Sequence, residues 1–252
     1  MSPTSFSFEP LYLALVVVLA AAYALAARRH DAGRGRAAVF ALGLFLVAAP
    51  LNSPLETLAA HYLLVAHLAQ NAIVADWAPP LLVLGLTPTM RSALAARGGG
   101  AFRLATTPAL TLPVWLMAWY GVHLPPFYEW ALRTGWGLNV EHTVLLAAGL
   151  LFWWPPFEPA PRRLTPPLAL AYLGVGFVAS PWLALAYIFI PDTLYGFYES
   201  APRIWGLSPD TDQVLGGMLM QTEMALVFVG LSTHFFLKLS AEDEEAVADV
   251  RG

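Results

Sequence analysis

The chain has 252 residues, of which 58% are apolar and 12% charged, with nine tryptophans and a net charge of −4. Ordinary globular domains carry about 25% charged residues, so a water-soluble fold is excluded, and no basic tract points to nucleic acid. The absence of cysteine removes disulfides, thiolate metal sites and thiol redox chemistry together.

About 20 apolar residues cover a roughly 30 Å hydrocarbon core, and charge-poor runs of that order recur along the chain. The first lies near 10–28. It has no positive charge before it and is followed by Arg28 and Arg29, the flank of a stop-transfer segment, so it reads as an uncleaved span. Further spans are expected near 37–54, 58–86, 104–123, 139–157, 166–190 and 211–238. The fold class is therefore all-α: a polytopic bundle of seven transmembrane helices forming one domain over 1–252. The acidic segment over 240–252 reads as a solvated tail. Of the thirteen Lys and Arg residues, eleven fall on one side of this topology and only Arg133 and Arg203 on the other. By the positive-inside rule the rich side is cytoplasmic, so the N-terminus faces outward and the C-terminus inward.

Polar residues inside such spans are costly and tend to mark sites. The third span carries "HLAQN", in which His67, Gln70 and Asn71 share one helical face at i, i+3 and i+4. Below it, "DWAPP" combines Asp76 with a double proline. His61 lies six residues before His67, roughly 120° away on an ideal helix, which makes it a secondary candidate. His123 closes the fourth span, Glu141 and His142 open the fifth, and Asp212 and Gln213 open the seventh. These positions converge on the outer side, and neutral imidazole is the commonest metal ligand. Further along the seventh span, Met220 offers a soft thioether suited to Cu(I), or simply adaptable packing. Glu223 is a second intramembrane carboxylate beside Asp76. The aromatic-rich stretches "WLMAWYGVHLPPFYEWAL" and "FWWPPF" read as interfacial belts.

The order of these motifs resembles the CtaG-type cytochrome c oxidase assembly factors, seven-span bacterial membrane proteins. "HLAQN" with "APPLLVLG" is similar to that family's HMxQH…PPLLVLG signature, and "VHLPPFYEWAL" to its WHLPxxYdxAL segment. "EHTVLLAAGLLFWWPP" and "YGFYESAPRIWGLSPDTDQVLGGMLM" resemble two further segments, so the likeness runs from about residue 37 to 238. The resemblance implies a non-enzymatic role at the bacterial inner membrane in building heme–copper oxidases, with copper as the metal, no heme, and oxidase subunits and the lipid bilayer as partners. Carried over residue by residue, it selects His67, His123, His142, Asp212 and Met220 as ligands, with Gln70, Asn71, Glu141 and Gln213 around them. The chain departs from the pattern at Asn71 and Gln221, where the family has His and Trp, and at Val122, where it has Trp. Two alternatives stand beside this reading: a transporter using Asp76 and Glu223, and a metal-free scaffold for oxidase assembly.

Overall fold

A computed structural model of the chain describes residues 2–251, with side chains described over 2–241. The tail expected over 240–252 therefore lies, past residue 241, outside the described side chains. In chain order the helices are α1 (Pro10–His30), α2 (Arg34–Leu51), α3 (Pro54–His61), α4 (Leu64–Ala72), α5 (Ala78–Gly85), α6 (Pro88–Ala105) and α7 (Pro108–Val122). They continue as α8 (Pro125–Arg133), α9 (Gly137–Trp153), α10 (Pro166–Ala179), α11 (Pro181–Phe189), α12 (Gly196–Ser200) and α13 (Pro209–Arg251). Among the described residues there is no strand, and eight of these helices begin on proline. Proline is pre-set for a first helical turn, and its missing N–H would have had no partner there anyway.

By length and composition four helical stretches can cross a membrane: α1, α2, α10 with α11 over Pro166–Phe189, and α13 over Pro209–Ala241. A fifth is reached if α4–α5 and α6, bent by 102° at the intervening break, count as one. Seven were expected. The spans at 104–123 and 139–157 correspond to α7 and α9, of 15 and 17 residues, or about 23 and 26 Å at 1.5 Å per residue. Both fall short of a roughly 30 Å core.

The third expected span, 58–86, is not one helix. It breaks after His61, restarts as α4, passes through a π-helical turn over Ile73–Trp77 and resumes as α5. Proline at 79 and 80 cannot donate to the carbonyls of residues 75 and 76, the i−4 acceptors of a regular helix. The chain responds with a wider turn in which the Ala78 N–H reaches back to the Ile73 carbonyl. The bulge brings Ala75 against α9 at Gly149, where a Cβ would overlap the Ala75 carbonyl oxygen and lie 2.8 Å from the Pro79 ring. Only glycine lets the two backbones approach this closely. At the far end of α5 the unpaired carbonyls are taken by two arginines. The Arg36 guanidinium donates to Leu84 O and Leu86 O at 2.9 Å, and Arg91 donates to Val83 O and Leu86 O at 3.1 and 3.2 Å.

The segment α4–π–α5 is central, packed between α2, α9 and α13. Beside it lies an aromatic core: Trp115 stacks on Phe152 with ring centres 4.3 Å apart, Phe152 stacks on Tyr172 at 4.9 Å, and Phe228 leans on Trp153 at 5.3 Å. This corrects the interfacial reading of the aromatic stretches, because Trp115, Trp119, Trp153 and Trp154 are all buried. Trp115 and Trp119 sit at i and i+4 on one face of α7, and that face turns inward. Helix α1 is peripheral, with only 6% of its apolar window buried. It is clasped near its N-terminus, where the Tyr12 hydroxyl donates to Asn139 O at 2.9 Å and the Glu9 N–H donates to Asn52 Oδ1 at 2.8 Å.

Candidate functional site

The start of α4, the end of α7 and the start of α9 meet at the end of the bundle away from Arg36 and Arg91, and they bring five of the expected residues together. On α4, His67 and Asn71 share the face turned to Glu141 of α9, Gln70 turns toward α2 and α3, and all three are buried. What holds that face is Asp212 of α13, whose carboxylate oxygens each accept a backbone N–H at 2.9 Å, from Leu64 and Val65. Asp212 thus caps the restarted helix and stands apart from the imidazoles. Gln213 accepts from Leu194 N at 2.8 Å and donates to Asp192 O at 3.2 Å, shaping the loop before α12. Met220 is fully buried in the aromatic core. His61 is exposed at the end of α3 and edges against Tyr62.

Hydrogen bonds fix the tautomers of two histidines. The Nδ1 of His123 lies 2.6 Å from Trp119 O, and a carbonyl only accepts, so Nδ1 carries the proton. The Nε2 lone pair then faces the Asn71 amide nitrogen at 3.4 Å. Tyr198 donates its hydroxyl to Ala59 O at 2.6 Å, so its oxygen accepts from His67 Nδ1 at 2.9 Å. The Nε2 of His67 lies 3.2 Å from Glu141 Oε1. That distance is close enough for an ion pair, but the atoms are not aligned as a hydrogen bond, so Nε2 has no hydrogen-bond partner. Glu141 Oε1 is taken by the Asn71 amide at 2.7 Å. Gln70 turns to the other side of α4, donating to Pro50 O at 2.8 Å and Glu56 Oε2 at 2.7 Å.

The ring of His142 stands edge-on to His67 with centres 5.9 Å apart, and Tyr128 covers His67 from a second side at 4.7 Å. At this corner five buried polar atoms have no hydrogen-bond partner: His67 Nε2, His142 Nε2, Glu141 Oε2, Asn71 Oδ1 and the Tyr128 hydroxyl. Buried polar groups are paired in nine cases of ten or more, so a cluster of five marks a place built to meet something else. Imidazole nitrogen and carboxylate oxygen are donor types that copper accepts. Even so, among the described residues no group of three or more His, Cys, Asp or Glu is placed to hold one metal ion.

The second carboxylate pair lies deeper. Asp76 sits in the π turn, fully buried with both oxygens unpartnered, and the neighbouring Trp77 donates its indole N–H to Glu223 Oε2 at 3.0 Å. The bulge thus places Asp76 and Glu223, the two carboxylates expected inside spans, at one level of the bundle, on α4–α5 and α13.

Sequence reasoning missed Tyr128, Tyr198 and Glu56. The signal for Glu56 was available, a lone carboxylate two residues after a proline in an apolar run. The tyrosines had none beyond their place in the compared motifs. A family model described as cytochrome c oxidase caa3 assembly factor (Caa3_CtaG) matches residues 11–242. No curated protein and no solved structure matches the chain.

Proposed function

The chain belongs to the family of cytochrome c oxidase caa3 assembly factors, and from that premise we propose that it handles copper as exchangeable cargo for the oxidase at the corner formed by His67, Glu141 and His142. In this reading it is a non-catalytic, multi-pass protein of the bacterial inner membrane, with its arginine-rich side cytoplasmic. The observation that carries the reading is the set of unpartnered buried atoms. Two are imidazole nitrogens, and the third ligand type is a carboxylate oxygen.

The surrounding geometry supports this use. Tyr198 holds a proton of His67 on Nδ1, so Nε2 is the nitrogen left for a ligand bond, and a cation there would take the place of the proton that the ion pair with Glu141 requires. Glu141 supplies one negative charge, so a monovalent Cu(I) at this corner would be neutralised in a low-dielectric setting. Asn71, where the resembled pattern has histidine, donates to Glu141 and so orients that carboxylate. Fewer converging ligands mean weaker holding, which is what hand-over to an oxidase subunit requires.

Copper per chain, measured on protein purified from copper-supplemented membranes, tests the proposal. Wild type is expected to retain copper, and a His67→Ala/His142→Ala double variant to lose it while keeping its helical signal. Near-zero copper in both would sink the cargo reading. The metal-free scaffold would then be left, a reading consistent with the lack of a group of three converging ligands among the described residues. Oxidase activity restored to a deletion strain by the double variant would select the scaffold.

A further inference from the structure

At the arginine-rich end of the bundle, far from the histidines, α1, α5, α6 and α9 enclose a cavity of about 350 Å³. That volume falls in the range of about 300–1,000 Å³ typical of small-molecule sites. Its walls are apolar, with Ala26 on α1, Leu82 on α5, Leu94 on α6 and Leu150 on α9. Two basic side chains also line it, His30 at the end of α1 and Arg97 on α6. Arg97 is exposed, and the ion pairs of the described residues are His67–Glu141, Arg133–Glu129 and Arg162–Glu158, so neither base is paired. Asp31 follows His30 in the chain, against Arg28, Arg29, Arg34 and Arg36 at the same end.

We propose that this cavity is a binding site for an anionic phospholipid, with one acyl chain against Ala26, Leu82, Leu94 and Leu150 and the headgroup phosphate at Arg97 and His30. Three observations select that occupant. Apart from the two bases, the polar side chains in the walls are Tyr23, Thr106 and Trp154, and Tyr23 and Thr106 already donate to Gly85 O and Phe102 O, which leaves too few free groups to orient a sugar, a nucleotide or a peptide backbone. A helix is about 10 Å or more across, too thick for this cavity, whereas an acyl chain is not. The unpaired cations, the last residue of α1 and an exposed residue of α6, adjoin the apolar walls, which suits a lipid with a negative headgroup. Basic residues beside a membrane surface attract anionic lipid, and arginine pairs with phosphate through two parallel hydrogen bonds.

The site also accounts for the poor burial of α1. That helix is clasped by Glu9 and Tyr12 near its N-terminus, and toward the cavity Tyr23 donates to Gly85 O at 3.1 Å. A chain in the cavity would fill the gap between α1 and α9 and join α1 to the bundle along its second half.

The test uses the full-length protein, native mass spectrometry and two probes with identical acyl chains, phosphatidylglycerol and phosphatidylcholine. Wild type is expected to retain one phosphatidylglycerol with a roughly fivefold preference over phosphatidylcholine, the factor expected from one basic residue near a membrane surface. Arg97→Gln should abolish that preference while lipid is still retained. Ala26→Trp should fill the cavity and expel both lipids, and Leu94→Trp does the same from the opposite wall should the first variant fail to fold. Equal retention of both probes by wild type overturns the proposal. So does undiminished lipid in a folded tryptophan variant, or recovery of a non-lipid small molecule from the cavity.

Discussion

Asp212→Ala is the sharpest test of how the histidine corner is held in place. The carboxylate accepts the Leu64 and Val65 N–H groups at 2.9 Å each and is itself fully buried. Hydrogen bonds to charged groups contribute about 1.5–3 kcal/mol apiece, and loss of a helix cap alone costs about 0.5–2 kcal/mol. Alanine leaves two buried donors without a partner, so the expected loss is about 3 kcal/mol or more. Asp212→Asn keeps one acceptor oxygen and turns an NH2 toward the other N–H, so it should fall between alanine and wild type. Unfolding in mixed detergent micelles, followed by tryptophan fluorescence, gives the three stabilities. The order wild type, Asn, Ala is expected, with copper content falling only as far as the folded fraction falls. An alanine variant within about 0.5 kcal/mol of wild type, the range of a neutral surface change, would refute the capping role. So would an asparagine variant as stable as wild type that has lost all its copper, since Asp212 would then be a ligand.

Gly149→Ala should destabilise by at least about 1–3 kcal/mol, the usual cost of overpacking, because the new methyl meets Ala75 O and Pro79. Gly121→Ala, with open space around it, should be neutral or slightly stabilising in the same thermal melt; equal melts would refute the close approach. Burial pushes the carboxyl of Glu56, in α3 outside the candidate spans, up from 4.5 to about 7, against the opposing hydrogen bond from Gln70. A carboxyl raised on folding contributes its full stability below the unfolded value and loses it as pH rises through the folded one. Wild type should therefore lose about 2–3 kcal/mol between about pH 5 and about pH 8 through this group, and Glu56→Gln should flatten that slope. Parallel pH profiles for the two proteins would refute it.

The membrane class and the inward face of α4 were legible because both rest on local pattern. Apolar runs give the first, and the i, i+4 spacing of His67 and Asn71 gives the second, although Gln70, expected on the same face, turns toward α2 and α3. Parity of spans also placed His123 and His142 at the same end as His67, and the rings of His67 and His142 do meet. The function of Asp212 was not legible. The run 58–86 reads as one span whose break falls at "DWAPP", so nothing in it announces a second N-terminus at Leu64 in need of an acceptor. That acceptor comes from 148 residues away. Tyr198 was hidden for the same reason, since its partner carbonyl at Ala59 lies 139 residues away. The tryptophans misled because lipid and protein core are equally apolar. Composition alone does not tell a Trp facing headgroups from one stacked on Phe152.

The eight helices that begin on proline have a consequence for insertion into lipid. In hydrocarbon an unsatisfied N–H costs several kcal/mol, and each helix start ordinarily exposes four such groups. Starting on proline removes one of the four by covalent chemistry, with no side chain required to cover it. The saving holds from synthesis onward, before any neighbouring helix has arrived. Of these helices α1, α10 and α13 open candidate spans, and each can therefore enter the bilayer with one fewer unmet donor, whereas α4 starts on leucine and has its first two N–H groups met by Asp212.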